Sequence, residues 1–419
     1  MMRTRLSYLL IAPLLMLCAA CVSEEGVPEE VTTTEMTLRM KINMGLEENT
    51  PTARADKGEP DRYDPASGKF EEIATLRVII LHGTDREVEG ARLVATSSDG
   101  TPLNDNLEFK VASNEKKTIV LIANEESLTP PAGVKGMSVS EYLDQFAQKG
   151  TKISDSQWKQ LNEWKVEMPD FNPSVPELEQ TYTKSLFSTT GLNPRLPLTE
   201  IWEIETLSEA QRQNKTDEVQ EVTLFMTRAA AKATFHFDID PSYSGSGSKV
   251  TGIRFWGVAP IQTVFPQNAV YSPAKYTASG EPNVVADGKR FITYFTPADL
   301  TFPGTFLIDM SEDPVEIKPY GEQDAPVRGP IYFAEYRFPQ DDRLDFTVAV
   351  ELDGNDNWLE AQPLTDNILL INGIFNAIAR NTHLEIHITF GSSGITCTTE
   401  VLPYIGVDLK PSFGFDELK

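Results

Sequence analysis

The chain is short of the residues that most protein chemistry relies on. It has three cysteines in 419 residues, Cys18, Cys21 and Cys397. That rules out the disulfide framework that staples small secreted domains, so stability must come from packing. It has four histidines, His82, His236, His383 and His387. No G-x-S-x-G, H-E-x-x-H, Walker A or dinucleotide fingerprint occurs. Basic residues are scarce as well: 37 Lys and Arg stand against 62 Asp and Glu, a net charge of −25. Such a surface repels phosphate backbones, which excludes nucleic acid as a partner. Beyond the N-terminus no second long apolar run exists. Carboxylates are plentiful, yet nothing singles out a pair for glycoside hydrolysis. The composition predicts a structural or binding protein rather than an enzyme, with no cofactor.

What is present begins with Arg3 and Arg5, the apolar run Leu6 to Leu17, and Cys18-Ala19-Ala20-Cys21. This order reads as a secretory signal over residues 1–20. The run is too short to span a bilayer, which takes about 20 apolar residues. The small residues before Cys21 resemble a lipoprotein box, although Cys18 stands where Leu is usual. Cleavage before Cys21 would leave that residue lipidated, and buried acyl chains anchor at about 0.8 kcal/mol per CH2. Residues 21–31 form an acidic tether.

Next, Met36, Leu38, Met40, Ile42 and Met44 alternate with polar residues, a period-two strand with one apolar face. Residues 47–69 carry Pro51, Pro60 and Pro65 with Arg54, Lys57 and Arg62, and read as an exposed linker open to proteolysis. Leu76 to Leu81 and Thr118 to Ala123 are unbroken apolar runs bounded by turns, the pattern of fully buried strands. Ser138 with Glu141, and Ser154 with Gln157, are capping boxes. They open two short helices, expected to pack over a sheet edge. The polar stretch Glu205 to Glu218 is the expected domain boundary. It divides an N-terminal domain, 32–217, from a C-terminal domain, 218–419. Further strands follow, notably Ala231 to Ile239, Ile253 to Ala259, Phe346 to Leu352 and Leu384 to Phe390. The tail carries Val401, Leu402, Ile405, Val407, Leu409 and Phe413 in an extended, Pro-containing setting. Such a tail completes its own sheet or pairs with another chain's edge.

Two patterns mimic metal sites. Asp353 to Asn357 starts like a calcium loop, but Trp358 and Leu364 occupy positions that need Gly and Glu. His383, Glu385 and His387 share one strand face, but steps of two residues spread side chains about 7 Å apart. That face reads as solvated, and no metal is assigned.

Several short segments together resemble the fimbrillin family of Bacteroidetes, subunits of protease-matured type V pili. They are the box at Cys21, the strand 36–44, Ile73-Ala74-Thr75-Leu76-Arg77-Val78 and Val120-Leu121-Ile122-Ala123-Asn124. Leu196-Pro197-Leu198-Thr199, Arg228-Ala229-Ala230-Ala231-Lys232, Phe265-Pro266-Gln267-Asn268 and Arg380-Asn381-Thr382-His383 complete the set. The resemblance implies an all-β fold of two transthyretin-like antiparallel sandwiches, with the two helices. It also implies export to the outer membrane surface, cleavage after Arg54 or Arg62, and departure of the first strand. A neighbouring subunit's C-terminal strand then fills the vacated groove, making other fimbrial subunits the partners. The alternative is an uncut surface lipoprotein, anchor or tip adhesin, that binds glycan or host protein.

Overall fold

The structure, a computed structural model, describes residues 34–43, 73–95, 107–176, 179–187, 195–212, 219–243, 247–266, 268–271, 292–295, 304–321, 326–337, 346–354, 356–364, 377–378, 380 and 382–403. The described residues form an all-β protein with two helices longer than four residues.

The first half is a sandwich of two sheets. One is β4 (Leu107–Ala112), β1 (Glu35–Asn43) and β9 (Val219–Phe225), in that spatial order. The other runs β10 (Thr227–Arg228), β8 (Leu198–Glu205), β5 (Lys116–Ala123), β2 (Thr75–His82), β3 (Val88–Ala95). Between them Met36, Leu38 and Met40 meet Leu76, Val78, Ile80, Ile119, Leu121, Leu224 and Met226. The opposite residues of β2 and β5 (Ile79, Leu81, Val120 and Ile122) are equally buried. They pack beneath α1 (Val139–Asp144) and α2 (Asp155–Asn162). The unbroken apolar runs thus have a physical reason, since both faces of this sheet are covered. The helices cover a sheet face, not an edge as expected. Both capping boxes form, with Ser138 and Ser154 accepting from the backbone N–H of Glu141 and Gln157. Trp164, 1% exposed, fills the space below them, and Tyr142 meets its ring edge-on at 5.8 Å.

The second half is another sandwich. One sheet is β18 (Val327–Phe333), β11 (Ala231–Ile239), β23 (Thr382–Gly391), β24 (Gly394–Pro403). The other is β21 (Gln362–Pro363), β20 (Thr347–Leu352), β12 (Lys249–Val258), β16 (Gly304–Asp309), β7 (Thr181–Tyr182), with β17 (Val315–Glu316) also on β12. Phe235, Phe255, Phe333 and Phe346 interlock in its core, Phe255 lying 5.3 Å from Phe333. Three two-stranded ladders finish the described sheets. β6 (Lys165–Glu167) pairs with β13 (Ile261–Thr263), β14 (Asn268–Tyr271) with β15 (Ile292–Phe295), and β19 (Tyr336–Arg337) with β22 (Ala377–Ile378).

Two differences from the sequence reading are informative. Most pairings are antiparallel, but β1 with β9, β11 with β23, and β16 with β7 are parallel. In each half, the first strand lies beside a late one, joined through a long crossover as parallel pairing requires. The halves also do not part at 217/218. β9 and β10 hydrogen-bond to β1 and β8, so the first sandwich keeps the chain through Arg228. Conversely β6 and β7 pair with β13 and β16 of the second half. The polar stretch before β9 therefore falls between two strands of the first sandwich, and polarity alone does not mark a boundary.

Candidate functional site

The alternation of apolar and polar residues in β1 decides its seat. Met36, Leu38 and Met40 point into the seam at 1%, 0% and 3% exposure, and Ile42 is half-buried. On one side β1 runs antiparallel to β4, with Leu38 opposite Phe109. On the other it runs parallel to β9, with Met40 opposite Val222. It is therefore a central strand, hydrogen-bonded along both edges.

Its outward face is polar and tied to both neighbours. Arg39 donates to Glu108 of β4 at 2.8 Å and to Glu221 of β9 at 2.8 Å. Those two carboxylates, Glu221 foremost, hold its guanidinium above its usual range. Lys110 Nζ donates to the Thr37 hydroxyl at 2.7 Å. At the start of the strand Ser113 N–H donates to the Thr34 carbonyl at 2.8 Å.

Strands in a sheet lie about 4.8 Å apart, so taking β1 out would leave a slot about 10 Å wide between β4 and β9. Burial of Met36, Leu38 and Met40 is worth about 1.5–3 kcal/mol each. That is a large share of the roughly 5–15 kcal/mol by which a domain is stable. An open slot of this kind, edged by two unpaired backbones and floored by apolar side chains, favours refilling by another extended segment.

Five of the other segments that carried the sequence resemblance contribute residues to a buried polar junction between the halves: Ala74, Asn124, Leu196 to Thr199, Ala229 and Arg380. Asn124, in a left-handed conformation at φ 54°, accepts from the Ala74 amide and donates to the Leu196 carbonyl, both at 2.8 Å. The Ala229 amide donates to the Pro197 carbonyl at 2.9 Å. Thr199 Oγ1 donates to the Val264 carbonyl at 2.6 Å, and Arg380 donates to the same oxygen at 2.9 Å. Arg380 also pairs with Glu335 at 2.7 Å, both side chains at 0% exposure. Gln262 adds a bond to the Ala229 carbonyl. Each of these side chains satisfies backbone groups that lie out of reach of water.

The remaining expected sites are placed as follows. Cys21, Arg54, Arg62, Met44, Ile405, Val407, Leu409 and Phe413 lie outside the described residues. Val401 and Leu402 belong to β24, opposite Leu384 and His383 of β23, so this part of the expected donor is already paired within its own chain. Of the three polar residues on β23, His383 is drawn aside to Thr234, 2.8 Å away. His236, which the sequence reading left out, comes instead to the group: it lies on β11 directly opposite His387. The parallel register of β11 and β23 makes that contact. The signal in the sequence was the shared alternation of 232–238 and 383–389.

No family model matches the chain, and no curated protein does either. Solved structures do. The tip fimbrial protein Mfa3 of Porphyromonas gingivalis superposes with a TM-score of 0.44 at 10% identity, over 88% of this chain and 100% of that one. A fimbrial assembly protein of Parabacteroides distasonis superposes at 0.37 and 10% identity, over 88% of this chain and 98% of the other.

Proposed function

We propose that the protein is a structural subunit of a surface fimbria whose first strand is a placeholder. The observation that carries this reading is the seat of β1: a central strand with three fully buried side chains, preceding a long polar segment that contains Arg54 and Arg62. Cutting that linker makes β1 a separate peptide, held only by its pairing and packing. A second copy of the chain, or a related subunit, then supplies the replacement strand from its tail, through Ile405, Val407, Leu409 and Phe413. Cys21 anchors the precursor in the outer membrane by its lipid. The sandwich halves follow the division described above, with the first ending near Arg228.

The test is limited trypsin treatment of the chain purified without residues 1–20. The reading predicts loss of the N-terminal peptide and a ladder of oligomers on gels run without boiling. A trimmed but monomeric product contradicts it. The two ion pairs of Arg39 favour a second reading, in which β1 stays for good and the chain is an uncut anchor or tip adhesin. N-terminal sequencing of the surface form separates the two. A start beyond Arg54 or Arg62 supports exchange, and a start at Cys21 supports the uncut subunit.

A further inference from the structure

The geometry points to a divalent-cation site on the outer face of the second sandwich, built by His236 of β11 with Glu385 and His387 of β23. Their ligand atoms lie within 4.8 Å of one another, and all three side chains are partly exposed. The two imidazoles stack at 4.6 Å between centroids with 12° between planes. Their backbones sit opposite each other in the parallel ladder, so the sheet itself fixes their separation.

A second observation comes from Asp238. Its Oδ2 lies 2.7 Å from His387 Nδ1. A carboxylate on Nδ1 holds the proton there and turns the Nε2 lone pair outward, the arrangement that supports imidazole ligands in metal centres. The donor set of two imidazoles and one carboxylate suits Zn2+ and its late first-row neighbours, and leaves a position for water or an outside ligand. Ligands on a tetrahedral Zn2+ stand about 3.3 Å apart, given bonds of about 2.0–2.1 Å. Closing from the present spacing needs shifts of about 1 Å in these partly exposed side chains. The bound ion joins β11 to β23, the strand whose hairpin partner leads into the C-terminal tail.

The chain is strongly acidic, so cations also gather loosely elsewhere, and the test must isolate this site. Zn2+ alone is titrated calorimetrically into the full chain lacking residues 1–20, in chelator-free buffer. One site is expected, weakened at least tenfold by His236→Gln and by His387→Gln. Asp238→Asn weakens it through the lost support, while His383→Gln, which removes the imidazole held by Thr234, leaves it within twofold. Absence of Zn2+ uptake into the millimolar range, or a site that survives both histidine changes, overturns the inference. Should the variants fail to fold, diethylpyrocarbonate footprinting of the wild-type chain decides. Zn2+ must shield His236 and His387, and equal modification with and without Zn2+ overturns the site.

Discussion

Leu38 has no exposed surface and sits between the two sheets of the first sandwich, against residues of β2, β5 and β9. Leu38→Ala removes its buried methyl groups and leaves a cavity that the surrounding strands fill only in part. The expected loss is about 2–5 kcal/mol, read from urea unfolding. Arg380 presents a different physical case. It is buried against Glu335 and also donates to the Val264 and Thr263 carbonyls. Arg380→Met strands a buried carboxylate and should cost about 3–5 kcal/mol by the same measurement. Adding Glu335→Gln should recover part of that loss. Cys397, on β24 opposite Ile388, lies half-buried against the core, and burial pushes its thiol up to about 12. The thiolate is the reacting species, so at pH 8 iodoacetamide should label Cys397, read by peptide mass spectrometry, at least about tenfold more slowly in the native chain than in the urea-unfolded chain.

At the scale of elements, β1 is the strand on which the functional reading turns. A chain lacking residues 21–46 should lose cooperative unfolding of its first sandwich, because β4 and β9 lose their common partner. A synthetic peptide of residues 34–46 added in trans should restore it, with saturable binding followed by near-UV circular dichroism. Binding by a scrambled peptide of equal composition would contradict the register set by Met36, Leu38 and Met40. Much of this was legible in the sequence. The alternation of 36–42 and 231–239 marked the strands and their inward faces, and the capping boxes marked the helix starts. The runs 76–81 and 118–123 announced double burial. What stayed hidden was pairing across long separations. β8 mixes Thr199 and Glu200, both buried, with half-exposed Ile201 and Trp202, so its hydrophobic signal is weak. The partnership of β9 with β1 joins positions about 180 residues apart, which no local pattern reports. The approach of His236 to His387 was hidden for the same reason.

At the scale of the whole molecule, two sandwiches meet at a buried polar junction, and the first carries its own first strand between β4 and β9. A strand in that position is either permanent or a placeholder. Covalent locking tells the two apart. Arg39 and Glu108 face each other on the outer side of β1 and β4, where opposite side chains stand about 4.5–5.5 Å apart between Cβ atoms. A disulfide spans about 3.5–4.5 Å between Cβ atoms, so a small approach of the two strands lets the Arg39→Cys/Glu108→Cys pair bridge them without entering the core. The deciding measurement is oligomer formation after linker cleavage, compared between the wild-type chain and the oxidised double-cysteine variant. Exchange predicts ladders from the wild type, none from the locked variant, and their return when the bridge is reduced. Equal ladders from both chains, or a wild-type chain that remains monomeric after the cut, would contradict the account.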